Sequence, residues 1–229
     1  PYKAYPNNVS DLFKTGSLYE NSINFNGGDG NTSFNTTLSN VGQKGYIENS
    51  SYSKNNISVG AQTKVGKFTL GANASFSRTK QVGGYFGQVQ SFLTQWGRTF
   101  TQARNWNIAG YPITDRAGAQ IGFNTGQYTN PIWAAHHNVI TTFDNRTVGN
   151  IRAGYKFNSF FAINYQFGFN NYTLNRDAIV DESSYGGSDN ALGNITETFY
   201  NNQELQSTIV ASFTPKIGKD FTLDFKIGN

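Results

Sequence analysis

The residues that could do chemistry are few and dispersed. His136-His137 is the only histidine pair, and there is no cysteine, so neither a thiol nucleophile nor a Cys-ligated zinc site is available. Adjacent side chains on an extended chain point to opposite sides, so the two imidazoles read as loop histidines, not joint metal ligands. Asp177, Asp181 and Glu182 cluster and could bind a cation, but the regular ligand spacing of a calcium loop is missing and a hydrated loop is the simpler reading. Gly27-Gly28-Asp29-Gly30 lacks the strand–loop–helix context of a phosphate cradle and reads as a hairpin turn. The sequons at Asn8, Asn145 and Asn194 read as coincidence in an Asn-rich chain. We therefore assign no catalytic residue, no metal site and no cofactor. The remaining candidates are binding residues: Trp96, Arg98, Arg104, Trp106, Tyr111 and Trp133, with Arg116 and Tyr128 nearby, all within 81–142. Aromatic platforms beside Arg, Asn and Gln suit sugars or peptides. Packing of the segment against its own scaffold is the competing role of each ring. A short helix is expected over 88–104, with Phe92, Leu93, Trp96 and Phe100 on one side.

What must hold such residues is written in the composition. The 229 residues are 37% hydrophobic and 15% aromatic but only 14% charged, against roughly 25% charged in an ordinary soluble domain. Mean hydropathy is -0.51. Many rings with few charges argue against disorder, and there is no apolar run long enough for a spanning helix. The net charge of +4 is scattered and makes no nucleic-acid footprint.

The dominant signal is alternation with period two. Phe161, Ile163, Tyr165, Phe167 and Phe169 interleave with Ala162, Asn164, Gln166, Gly168 and Asn170, so one face is apolar and the other polar or small. The same pattern predicts about eight strands, near 19–26, 32–40, 52–64, 68–80, 143–157, 160–176, 198–216 and 221–228. Lys156, Arg152, Lys226 and Asp224 fall on the polar face, and Ser207 interrupts an apolar one. Short connections (27–31, 65–67, 158–159, 217–220) alternate with long ones (41–51, 81–142, 177–197). A soluble sandwich gives no reason for that asymmetry, whereas an outer-membrane barrel has short turns on one rim and long extracellular loops on the other. In lipid all backbone polar groups must be paired within the protein, so a closed barrel with an apolar outside and a polar inside spans without any continuous apolar run. Tyr52, Phe68, Phe157, Phe160, Tyr172 and Phe221 near strand ends suit interfacial girdles. The fold class read from the chain is all-β, a transmembrane antiparallel barrel segment. The alternative is a soluble β-sandwich.

Several short motifs then carry a resemblance. Asp11-Leu12-Phe13-Lys14-Thr15-Gly16 is followed by Ser22-Ile23-Asn24-Phe25-Asn26-Gly27-Gly28 and by Gly45-Tyr46-Ile47-Glu48-Asn49-Ser50-Ser51-Tyr52-Ser53-Lys54. Asn130-Pro131-Ile132-Trp133, Asp144-Asn145-Arg146 and Tyr155-Lys156-Phe157 come later. In order and spacing over residues 11–157 this series resembles the early barrel of SusC/RagA-type TonB-dependent outer-membrane transporters of Bacteroidetes. The resemblance implies about eight strands of a 22-stranded barrel, with residues 1–229 as its first third. The chain opens Pro1-Tyr2-Lys3 without a start residue and is expected to be a piece of a longer product, with the N-terminal domain, TonB box and plug outside it. The resemblance further implies import of oligosaccharides or peptides, energy from TonB, a SusD-like surface lipoprotein partner and a place in the bacterial outer membrane. A non-transporting barrel serving as scaffold of a larger outer-membrane complex is the alternative.

Overall fold

The computed structural model describes residues 3–84, 103–122, 129–185 and 192–229. Its main element is one eight-stranded antiparallel sheet of chain neighbours. It runs β1 (Ser17–Gly28), β2 (Thr32–Lys44), β3 (Ser51–Val65), β4 (Phe68–Gly84), β5 (Val139–Lys156), β6 (Phe161–Val180), β7 (Asn194–Phe213) and β10 (Phe225–Gly228). A two-residue pair, β8 (Lys216–Ile217) and β9 (Phe221–Thr222), forms a small hairpin of its own. The last connection is thus longer than the tight turn expected at 217–220. Seven strands have 12 to 20 residues, against about 5–6 in ordinary sheets. Among the described residues no helix is long and apolar enough to cross a membrane.

The register makes the two faces continuous across strands. One transverse row reads Phe25, Thr36, Val59, Ala74, Gly149, Phe169, Leu205. The next row, on the other face, reads Asn26, Asn35, Gly60, Asn73, Asn150, Gly168, Gln206. Asn73 and Asn150 exchange side-chain hydrogen bonds of 3.2 and 3.0 Å. The polar face is concave and encloses a hollow of about 710 Å³ between β2 and β7. Among the described residues nothing covers the apolar face: Ile151 is 55% and Leu205 65% exposed, and the patch runs across all the strands. A monomer in water rarely exposes more than a few hundred Å² of contiguous apolar surface. Ser207, a hydroxyl on that face, donates to Tyr165 Oη at 3.2 Å.

The apolar face has sharp limits. At the short-turn rim, rings follow one another from β4 to β10: Phe68–Tyr155 at 4.5 Å, Tyr155–Phe157 at 4.7 Å, Phe157–Phe161 at 4.9 Å, Phe161–Phe213 at 4.5 Å and Phe213–Phe225 at 6.4 Å. Toward the long-loop rim the same face turns polar, at Asn21, Asn40, Asn55 and Arg78 on β1–β4 and one row earlier, at Thr147, Asn171 and Gln203, on β5–β7. From Phe161 to Phe169 the apolar stretch of β6 covers about 26 Å of strand, close to the roughly 25 Å lipid-facing band of barrels once tilted. Tyr52 and Tyr172, expected in girdles, face the concave side, because their positions fall in the other phase of the alternation.

The hairpins are staggered. Thr32 pairs with Thr63, and β3 runs two residues further to Val65 before turning. Phe68 pairs with Tyr155, and Phe157, two residues on, closes the next turn onto Phe161. Two residues per hairpin, set against the spacing of two strands, corresponds to a tilt of about 35°, within the usual range for barrels.

Candidate substrate-facing mouth and wall

The packed core lies at the long-loop rim. Its centre is a short helix, α1 (Pro131–His137), which the sequence signals through Asn130 as cap and Pro131 at the first helical position. Asn130 Oδ1 accepts from the amides of Ile132 (2.9 Å) and Trp133 (3.3 Å). Its own amides donate to Gln120 Oε1 and Ile121 O, both at 2.7 Å. Trp133 is 1% exposed and stacks on His137, one turn along, at 4.2 Å and 5° between planes.

The two histidines therefore sit on a helix and not on extended chain, and each takes a different carboxylate. His137 Nδ1 lies 2.9 Å from Asp181 Oδ2, and His136 Nε2 lies 3.4 Å from Glu48 Oε1. The end of α1 is thereby tied to the β2–β3 loop and to the segment after β6. Asn49 Nδ2 adds a bond to Ala135 O at 2.8 Å. Asn138, buried, accepts from Asp181 N (2.9 Å) and Ser184 Oγ (2.8 Å) through Oδ1. Thr129 and Tyr185 bond to each other, as do Gln120 and Ser183. This knot of loops closes where the inward-facing Ala178 and Val180 are buried.

The sequence candidates occupy different places on it. Arg104 holds the N-terminal segment, donating from Nη1 to Asn8 Oδ1 (2.8 Å) and Pro6 O (3.1 Å). Trp106 is half-buried, and its carbonyl accepts from Asn8 Nδ2 at 3.3 Å. Trp133 is enclosed. Tyr111 is 54% exposed, and Arg116 is also exposed. Trp96, Arg98 and Tyr128 lie outside the described residues, as does the helix expected over 88–104 except its last two positions. Asp177 faces outward opposite Glu197, away from Asp181. Among the described residues no three His, Asp or Glu side chains gather as for a metal.

Below the knot, the concave wall carries a second cluster that no sequence motif marks. On neighbouring positions of β5, β6 and β7 stand Arg146, Asn170, Tyr172, Tyr200, Asn202 and Glu204. Arg146 Nε donates to Asn170 Oδ1 (3.0 Å), and Asn170 and Asn202 donate to the two oxygens of Glu204 (3.0 and 3.1 Å). The rings of Tyr172 and Tyr200 lie 6.1 Å apart. A cation, an anion, amides and two rings thus share one open wall. Only the phase of the alternation betrays them in the sequence, because no motif marks residues that meet across strands.

Comparison with known proteins gives fold likeness. No protein-family model matches the chain and no curated protein matches it. Among solved structures it is similar to a chain of the RagAB peptide importer in the closed-closed state, with a TM-score of 0.75 at 18% identity over 97% of this chain and 25% of that one. The open-open state of the importer gives 0.74 at 18% identity, over 97% of this chain and 24% of the other. A further structure of the RagAB peptide transporter gives 0.75 at 18% identity, with 97% and 25% covered. The chain spans about a quarter of the length of these chains. The fold expected from the early-barrel resemblance is the fold observed, and the likenesses are to transporters, not enzymes.

Proposed function

We propose that this chain is part of the wall and mouth of a SusC-like import barrel in the bacterial outer membrane. The observation that carries the reading is the two-faced sheet: an uncovered apolar outside with sharp limits and a concave polar inside, with short turns on one rim and long loops on the other. The shared fold with the RagAB peptide importer supports it.

In this reading the solute, a peptide or an oligosaccharide, meets the exposed part of the loop knot, with Tyr111 and Trp106 as contacts and Arg104 and Trp133 as the platform beneath; Trp96 and Arg98, outside the described residues, remain candidate contacts by residue type. It then passes the wall at Arg146, Glu204 and the tyrosine pair, whose mixed polarity suits groups of either charge and stacked rings. No bond is made or broken. TonB supplies the energy through a part of the protein outside these residues, and a SusD-like surface lipoprotein covers the mouth.

The test is uptake. Cells lacking the gene are expected to lose accumulation of at least one class of labelled peptides or oligosaccharides. Wild-type protein should restore it, and a protonophore should abolish it. Unchanged uptake across both classes, with the protein held in a complex with secretion components, would replace import by the scaffold role.

A further inference from the structure

The outer face of β1–β4 carries a feature that import does not use. At the long-loop limit of the apolar band, Ile23, Leu38, Ile57 and Phe76 line a groove of about 400 Å³. Asn21, Asn40 and Asn55 edge it, and Asn40 Nδ2 donates to Asn55 Oδ1 at 2.7 Å. Directly beyond Phe76 on the same face of β4 stand Arg78 and Lys80. Both lie over the ring of Phe143 on β5, with Arg78 Cζ at 5.6 Å and Lys80 Nζ at 5.4 Å from its centroid. Among the described residues neither has a carboxylate within ion-pair distance. The outward positions of β1–β4 at these levels hold Asn, Ser, Gly and Tyr but no Asp or Glu.

From the groove outward the face therefore carries apolar side chains, then the amide row with Arg78 in register beside Asn55, then Lys80. Those are the needs of acyl chains first, and then, side by side, of sugar hydroxyls with ester or amide carbonyls and of phosphates. We propose that this groove binds one phosphorylated, acylated glycolipid of the leaflet on the long-loop side. The amide row favours a sugar headgroup over a simple phospholipid, because three carboxamides on adjacent strands offer both donors and acceptors side by side. Two cations held by one ring fix a phosphate more specifically than scattered surface lysines would. The proposal rests on the barrel reading, since it needs lipid against this face.

The experiment uses the protein extracted in mild detergent from the membrane of the cells that make it and placed in phosphatidylcholine nanodiscs. The probes are bisphosphorylated lipid A and its fully dephosphorylated form, with bound lipid counted by native mass spectrometry. Wild type is expected to retain the bisphosphorylated form at least tenfold over the other, a comparison that needs no variant. The double substitution Arg78→Gln, Lys80→Gln should erase that preference, and Ile57→Trp, which fills the groove, should reduce binding of both. Lys156→Gln, on the concave face, should change nothing. Equal retention of the two lipids by wild type, or an unchanged preference in the double variant with normal heat-modifiable mobility, would overturn the site and leave the barrel standing. Recovery of the protein in buffer without detergent would overturn both readings.

Discussion

The ring of Phe169 lies over Gly149, its register partner on the neighbouring strand, so closely that a Cβ there would sit 2.6 Å from the ring edge. Phe34 covers Gly27 and Tyr19 covers Gly42 in the same manner. All three pairs are on the outward face. On the concave face Gly60 and Gly154 receive Asn35 and Asn164 instead. These glycines are sockets, filled by rings on the apolar face and by carboxamides on the polar one. Gly149→Val should displace Phe169, and with a backbone oxygen of Asn73 at 3.0 Å the added carbons have no second way out. The expected outcome is loss of the heat-modifiable folded band, whereas Gly30→Ala, which meets open space, should keep it.

The two faces predict opposite tolerance to charge. Phe167→Arg puts a guanidinium on the lipid side and should cost about 2–4 kcal/mol near mid-bilayer. Gln166→Arg, one residue away on the wall of the hollow, should assemble normally. Urea titration of the folded barrel in micelles measures both, and equal effects would count against lipid contact at Phe167.

The loop knot depends on buried amides. Asn138→Ala removes the acceptor of both Asp181 N and Ser184 Oγ and should loosen 181–185 by about 1–3 kcal/mol, the cost of orphaning buried donors. Faster proteolysis at that segment, with an unaltered heat-modifiable mobility, is the expected result. Cleavage at the wild-type rate would show that these bonds do not hold the segment.

One titrating group lies in a turn. The backbone amides of Asn31 and Thr32 donate to Asp29 Oδ1 (2.8 and 2.7 Å) and hold its carboxyl below the usual range. A lowered folded value means that this contribution to the β1–β2 hairpin is complete above the unfolded pKa, about 4, and fades as pH falls through the folded one. Amide exchange at Thr32 should therefore be more protected at neutral pH than the acid-range trend extrapolates to. Asp29→Ala should remove that difference.

Much of this was legible beforehand because a sheet with one apolar and one polar face imposes the shortest period a chain can carry. Phe161 to Phe169 declared a strand and both its faces at once. The strand ends were less visible: β6 continues to Val180 and β7 starts at Asn194, yet beyond Asn171 the outward positions turn polar at Thr173, Asn175 and Asp177 while inward Leu174, Ala178 and Val180 pack under the loops, so the apolar phase switches face. α1 was legible in principle through Asn130 and Pro131, but seven residues are too few for a helical period to show. The wall cluster was hidden for another reason: Arg146, Asn170 and Glu204 are far apart in sequence and meet only through register.

The stagger of the hairpins bears on depth. With strands inclined by about 35°, a hydrogen-bonded row climbs by about 14 Å over five strand spacings, nearly half of the hydrocarbon thickness. Phe34 on β2 and Ser207 on β7 stand in one such row, yet in the proposed membrane setting the first would lie near the short-turn surface and the second close to the middle of the oil. Residues that are level for the backbone are thus storeys apart for the membrane, and a quencher fixed at one altitude would tell them apart.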